Sequence, residues 1–240
     1  MSLSRRVFLA ASAAATLALL SSPLQAQPQP IQLVTLGDSI TKGVRPGIKA
    51  EETFAALVEK GLQQQGLSAA VANVGIGGER TDQALKRLAK DVLARKPRLV
   101  TIMYGTNDSY VDPGKTASRL PLAEYRANLV ELVKQIRAAG AEAVLMTEPR
   151  WGAKAKLNGI GEHPNVKLEP YVAACRDVAA ELKTPLVDHF SHWTAAEKRG
   201  QDLTDWTTDQ CHPNPRGHQE LAALILPVAA KALGAKPGKR

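Results

Sequence analysis

The sequence predicts an α/β fold, a three-layer α/β/α sandwich with a five-stranded parallel sheet between two layers of helices. Two observations predict it. After about residue 30, segments with strand character alternate with segments of helical periodicity, and that order builds a parallel sheet with helices on both faces. The strand segments are short runs dominated by apolar and β-favouring residues, as in 31–36 (IQLVTL), bounded by glycine. Such runs mark strands buried on both faces. A third observation bears on what the fold carries. The first run stops abruptly in Gly37-Asp38-Ser39, at the strand end where open α/β sheets place their sites.

Each element follows in order. Gly37 is expected to open a sharp turn, because glycine tolerates backbone angles closed to other residues. Residues 41–52 then read as a loop carrying Gly43, Pro46 and Gly47. Thr53 caps a helix over 54–65, in which Phe54, Leu57, Val58 and Leu62 recur at helical spacing, and Gly66 stops it. A second strand over 69–74 enters the turn Gly75-Ile76-Gly77-Gly78, and a helix follows from Thr81 to about Arg95, broken by Pro97. The third strand, 98–104, runs into Gly105-Thr106-Asn107-Asp108. After a loop over 110–121, a helix over 122–139 places Leu129, Leu132, Val133 and Ile136 on one face and ends at Gly140. The fourth strand is 143–147. A loop over 149–165 carries Trp151, and loops that long inside a compact domain are usually functional or mobile. A helix over 166–182, a short fifth strand over 185–187 and a helix over 194–200 follow. Residues 205–217 read as irregular. The last helix reaches Leu233, with Asn214 and Pro215 as cap and first-turn residues.

The first 26 residues are expected to lie outside this domain. Arg5-Arg6 precede an apolar, alanine-rich run over 7–20 that is short for a membrane span, and small and polar residues follow up to Ala26. This is an export signal with a cut expected after Ala26. The paired arginines followed by Phe8-Leu9 look like the twin-arginine type, which exports folded proteins. The alternatives are an ordinary secretory signal and an uncleaved anchor. Residues 27–240 then form a single domain of ordinary size, in the periplasm or outside the cell. No stable membrane insertion of this mature chain is expected.

The formal charge is +8 for 240 residues, and removal of Arg5 and Arg6 leaves +6. Lys236, Lys239 and Arg240 sit at the extreme carboxyl end, and the other cations are mixed with acids along helices. No basic tract is interleaved with aromatic residues, so nucleic acid is not an expected partner. Cys175 and Cys211 are the two cysteines. They could pair in an oxidising compartment, and a buried free Cys175 on a helix is the alternative.

Four segments fall at strand ends or just before the last helix, and they supply complementary chemistry. A serine hydroxyl becomes a nucleophile only when a base takes its proton. His212 can be that base for Ser39. Asp209, three residues earlier, can hold the other ring nitrogen and stabilise the imidazolium. Pro213 keeps His212 out of helical angles. Attack on an ester carbonyl creates an oxyanion. The donors for it are the backbone N–H groups of Ser39 and Gly78 and the side-chain amide of Asn107.

These residues resemble the SGNH (GDSL) hydrolase family over essentially the whole mature chain. The matches are Gly37-Asp38-Ser39-Ile40-Thr41, the glycine block from Asn73 to Thr81, Gly105-Thr106-Asn107-Asp108, and Asp209 with His212, followed by Pro213-Asn214 and Gly217-His218. Within the glycine block Gly78 is the expected donor, with Gly77 as the alternative. The resemblance implies a flavodoxin-like fold and hydrolysis of carboxylic esters without metal or cofactor. A secreted serine esterase is therefore expected, with O-acetyl groups on carbohydrate as the leading substrate and a small-molecule or glycan ester as the partner class. The alternatives are a lysophospholipase or aryl esterase of the same family, a non-catalytic carbohydrate- or cell-wall-binding module on the same fold, and a flavin-binding protein of the same topology.

The neighbouring polar residues have simpler readings. Asp38 is expected to hold its turn, Asp108 to cap the following loop or helix, and His218 to be structural. His163, His189 and His192 lack metal-like spacing and read as loop or surface residues. Glu79, Arg80, Tyr110, Arg150 and Trp151 could line the pocket or be loop structure. Trp206 is expected to pack beneath the loop that carries Asp209 and His212.

Overall fold

The computed structural model describes residues 32–234. The expected export signal over 1–26 lies outside the described residues. Five strands form one sheet: β1 (Leu33–Gly37), β2 (Val71–Asn73), β3 (Leu99–Met103), β4 (Glu142–Thr147) and β5 (Leu186–Asp188). All neighbours are parallel, in the order β2-β1-β3-β4-β5. This is the flavodoxin-like arrangement. The chain leaves β1 toward β2 and returns on the other side as β3, so a crevice opens beyond the carboxyl ends of β1 and β3.

The central strands are buried on both faces, and successive side chains go to opposite sides of the sheet. Leu33, Leu99, Met103, Val144 and Met146 join one apolar cluster. Val34, Leu36, Val100, Ile102 and Leu145 join the other. The first cluster is completed by α2 (Phe54–Gln64), α7 (His189–Lys198) and α8 (Pro215–Ala232). The second is completed by α3 (Thr81–Arg87), α5 (Leu122–Ala138) and α6 (Pro164–Glu181). Two single-turn helices, α1 (Ser39–Lys42) and α4 (Thr106–Ser109), sit directly on the ends of β1 and β3. They carry the serine and the asparagine.

The caps explain the helix boundaries. Thr53 Oγ1 accepts from the N–H of Ala56, and Asn214 Oδ1 accepts from that of Gly217. Each satisfies a donor that the helix start leaves unpaired. Two helices depart from the sequence expectation. The helix from Thr81 is α-helical only to Arg87. It continues as a π turn over Leu88–Val92 and a 3₁₀ turn over Leu93–Arg95, and Lys96 ends it at φ 50°. The helix expected over 194–200 starts at His189, because Asp188 caps it by accepting from the N–H of Ser191.

Candidate active site

Ser39 is held by a turn with no room for side chains. A Cβ on Gly37 would lie 2.1 Å from Thr41 Oγ1 and 2.6 Å from the Met103 carbonyl oxygen. The residue is not among those with positive φ. Close approach of α1 and β3 therefore requires this glycine, not unusual backbone angles, which corrects the sequence reading. Asp38 Oδ1 then accepts from the N–H of Ile40 at 2.8 Å. Ser39 opens α1, so its own N–H is one of the donors that a helix start leaves without an intrahelical partner.

The structure joins Ser39, His212 and Asp209 in one relay. His212 Nε2 lies 2.9 Å from Ser39 Oγ. On the other side of the ring, Nδ1 lies 2.9 Å from Asp209 Oδ2 and 3.1 Å from Oδ1. The carboxylate also accepts from the backbone N–H of His212 at 2.9 Å and of Cys211 at 3.2 Å. Arg45 Nη2 adds a further contact to Oδ2 at 2.9 Å. The loop is braced as a whole. Thr207 bridges Pro213, the N–H of Thr208 donates to the His212 carbonyl at 2.8 Å, and Gln210 takes φ 70° at the apex. Gln210 Oε1 accepts from the N–H of Lys154, and the Gln210 carbonyl accepts from that of Gly152. These bonds tie the loop to the segment after β4. Trp206, buried, meets Trp193 edge-on beneath it at 5.2 Å, as expected.

Electrostatics favour a neutral imidazole. Burial lowers the His212 pKa below its usual 6.5, Arg45 adds to that, and Asp209 opposes it. Burial alone would raise Asp209, but its bonds from His212 and Arg45 bring it down to about 2. At neutral pH the arrangement is therefore carboxylate, neutral imidazole, hydroxyl. Nδ1–H donates to Asp209, and Nε2 is free to accept the serine proton.

The glycine turn runs beside Ser39, and Asn107 is tied to the adjacent Asp38. A Cβ on Gly77 would come within 4.0 Å of Ser39 Cβ, and Gly78 follows at φ 76° with open space where its Cβ would be. Asn107, on α4, donates from Nδ2 to Asp38 Oδ2 at 2.7 Å. Its Oδ1 accepts from Arg119 Nη1 at 3.0 Å. Asp38 therefore does more than hold its turn, since it also ties the asparagine to the serine strand. Sequence reading missed Arg119, which lies in an irregular loop with no motif to mark it.

Beneath these groups is a cluster of buried acids that the sequence did not reveal. Asp38, Asp108 and Glu148 are each essentially inaccessible to solvent. Asp108 accepts from the N–H and hydroxyl of Thr81 at 3.0 and 2.7 Å, so it caps α3 rather than its own helix. Burial raises its pKa to about 6. Burial, with Asp108 nearby, raises Asp38 to about 7. Glu148 follows β4 and makes no well-formed hydrogen bond to either oxygen. Burial and the neighbouring Asp38 and Asp108 push its pKa well above the carboxylate range. Glu148 is thus the protonated member of the Asp38–Glu148 pair.

The other candidates sort by their partners. Glu79 is buried and accepts from Arg87 and from the Tyr104 hydroxyl at 2.5 Å, so it anchors the glycine turn and does not line a pocket. Arg80 pairs with Asp82, and Arg150 with Glu197. Tyr110 and Trp151 stack at 5.9 Å, and Arg119 lies over the Tyr110 ring at 5.0 Å. His218 is structural, with Nδ1 accepting from the N–H of Phe54 at 3.3 Å. His163 caps α6. His189 departs from its surface reading, for it is fully buried inside α7, and burial lowers its pKa to about 3. His192 stacks on Trp206 and bonds Glu220 at 3.0 Å. Cys175 and Cys211 are both buried and free, so the pairing alternative is excluded. Among the described residues no cluster of His, Cys, Asp and Glu could hold a metal ion.

A hydroxyl, a neutral imidazole and a carboxylate in line, with amide donors beside them on the rim of an α/β/α sandwich, make the layout of a hydrolase that works through acyl transfer. Comparison with known proteins agrees. The GDSL-like Lipase/Acylhydrolase family matches residues 35–220, and the chain belongs to that family. It is a carboxylic ester hydrolase. The chain is 32% identical over 196 residues to an uncharacterized lipoprotein, YqeF, of Bacillus subtilis, covering 72% of this chain and 75% of that one. An acetylxylan esterase of Geobacillus stearothermophilus is 30% identical over 209 residues, covering 81% and 92%. An isoamyl acetate-hydrolyzing esterase 1 homolog of Rattus norvegicus is 30% identical over 185 residues, covering 70% and 71%. Among solved structures, a lipase/acylhydrolase from Enterococcus faecalis superposes with a TM-score of 0.71 at 27% identity, covering 87% of this chain and all of that one.

Proposed function

We propose that the protein is an exported serine esterase that removes O-acetyl groups from carbohydrate. The observation that carries the catalytic assignment is the unbroken line from Ser39 Oγ through His212 to Asp209, with 2.9 Å at each junction. In this reading Ser39 Oγ attacks the ester carbonyl carbon as its proton passes to His212 Nε2. The N–H groups of Ser39 and Gly78 and the Asn107 amide hold the oxyanion. When the tetrahedral intermediate collapses, His212 returns that proton to the departing alcohol and an acetyl-serine remains. Water then attacks the acyl carbon, giving a proton to His212, and as the second intermediate collapses His212 returns that proton to Ser39 Oγ and acetate leaves. The three side chains suffice for both halves.

The acetyl preference is supported by the names of two relatives, an acetylxylan esterase and an isoamyl acetate-hydrolyzing esterase homolog. Arg119 bonds Asn107 and lies over Tyr110, which stacks on Trp151. That mixed cationic and aromatic surface suits a sugar alcohol better than an alkyl chain. Export rests on the Arg5-Arg6 signal and its expected cut after Ala26, with 27–240 as the mature single domain. The lipoprotein among the relatives supports an envelope location. Among the described residues no helix is long and apolar enough to cross a membrane.

The test sets the purified protein against 4-nitrophenyl acetate, butyrate and octanoate and against acetylated xylo-oligosaccharides, beside Ser39→Ala. The expected result is turnover that falls with acyl length, release of acetate from the oligosaccharide, and loss of both in the variant. A preference for octanoate would replace this reading with a lysophospholipase or aryl esterase. Unchanged turnover in a folded Ser39→Ala would remove the serine mechanism. Glycan binding without turnover would make the protein a binding module.

A further inference from the structure

We infer that Arg119 is a positioning residue that fixes which way the Asn107 amide faces and strengthens its N–H as a donor. The inference rests on the reading of Asn107 as an oxyanion donor and names what makes it one. A carboxamide is nearly symmetric in shape, so packing alone does not select between its two flipped orientations. Charge does. The Nδ2 side of Asn107 faces Asp38 Oδ2 at 2.7 Å, and the Oδ1 side faces Arg119 Nη1 at 3.0 Å. A flip would aim the amide oxygen at a carboxylate and the amide N–H groups at a guanidinium. Both contacts would then be repulsive. With the amide held as it is, one Nδ2–H is engaged by Asp38 and the second is left for the substrate oxygen.

Arg119 can serve as this anchor because it is itself immobilised. Nε and Nη2 form a two-pronged pair with Asp112 at 2.9 and 2.7 Å. The guanidinium lies over the Tyr110 ring. The backbone N–H of Arg119 donates to the Tyr110 carbonyl at 2.9 Å, and that of Leu120 to the Asp108 carbonyl at 3.0 Å. Nη1 is the prong left to face Asn107. A fork with fixed geometry is the property in which arginine differs from lysine. The cation at Oδ1 also draws electron density through the amide and makes the N–H a stronger donor. It offsets, at the oxyanion, the unfavourable charge of the ionised form of Asp38.

The experiment is a double-mutant cycle with 4-nitrophenyl acetate, using Asn107→Ala, Arg119→Met, Arg119→Lys and the Asn107→Ala/Arg119→Met double variant. Folding of each is checked by circular dichroism. Removing an oxyanion donor costs on the order of 10²–10³ in kcat, and that loss is expected for Asn107→Ala. Arg119→Met is expected to lower kcat by on the order of 10-fold or more with KM little changed, a loss confined to the transition state. Arg119→Lys, which keeps the charge but not the fork, is expected to restore only part of it. In the Asn107→Ala background, Arg119→Met should cost almost nothing. An equal loss in both backgrounds, or an effect on KM alone, would overturn the inference, because Arg119 would then act on the substrate or the fold directly. Full activity in Asn107→Ala would instead overturn the reading of Asn107 as a donor. If Arg119→Met does not fold, the same cycle with Arg119→Lys decides between these outcomes.

Discussion

Glu148→Gln should change how the stability of the protein depends on pH, and in a direction opposite to the usual carboxylate. Glu148 is buried, and neither of its oxygens has a well-formed partner. Burial, with Asp38 and Asp108 close by, holds its pKa in the folded state well above 4.5. The sign follows from proton counting. Between about pH 4.5 and the raised folded pKa, the native state keeps a proton that the unfolded chain has released. Stability therefore falls as pH rises through that window, by about 1.4 kcal/mol per pH unit for one such group. Glutamine has the same shape and no proton to lose. Its amide N–H keeps a donor beside Asp38, so the variant should keep the fold. Urea unfolding of both proteins at several pH values gives the difference, which reports the Asp38–Glu148 pair because groups remote from it cancel. The advantage of Glu148→Gln should grow as pH rises through that window, by at most about 1.4 kcal/mol per pH unit. Parallel curves would refute the reasoning, because Glu148 would then ionise in the native state as easily as in water.

Three other perturbations follow from the same geometry. Replacing Arg45 by Met removes a cation that lowers the His212 pKa and shares Asp209 Oδ2. Losing both raises that pKa, so the acid limb of kcat/KM, expected below pH 6.5 for the wild type, should move to higher pH in the variant. Gly37→Ala places a Cβ 2.1 Å from Thr41 Oγ1 and 2.6 Å from a backbone oxygen. It should destabilise the fold by about 1–3 kcal/mol or more and slow labelling of Ser39 by a fluorophosphonate, read from the urea midpoint and the labelling rate. Thiol titration of the unfolded protein without reductant should find both Cys175 and Cys211 reactive, whereas a disulfide would leave neither.

The residues proposed for the chemistry were legible because each stands in a motif beside a break in pattern. Ser39 follows an apolar run and a glycine, Asn107 follows another such run, and His212 sits before Pro213 and a helix cap. The order of the strands was legible only by resemblance, since alternation alone fixes the layers and not the neighbours. Boundaries were blurred where one residue serves two elements. Asp188 ends β5 and caps α7, so the helix begins five residues earlier than periodicity suggests. What stayed hidden are partnerships made across long sequence separations. Glu79 with Tyr104, Asp108 with Thr81 and Arg119 with Asn107 depend on which loops the sheet brings together. His189 was misread for the same reason, because its burial is set by the packing of α7 and not by its own neighbours in sequence.

The acid beneath the nucleophile has a reason that its burial cost obscures. Position 38 must accept two hydrogen bonds in two directions, one on Oδ1 from the N–H of Ile40 and one on Oδ2 from Asn107 Nδ2. An asparagine there offers one carbonyl oxygen and would turn N–H donors toward the second partner, which is itself a donor. Only a carboxyl group can both close the turn that presents Ser39 and orient the amide beside it. The consequence is a carboxylate placed where solvent cannot stabilise it, with its pKa raised to about 7. Glu148 eases that cost by remaining protonated, so that no second negative charge sits beside Asp38. The cluster therefore couples the nucleophile turn, the asparagine donor and the end of β4 into one unit, and a change at any of its three acids should be felt at the serine.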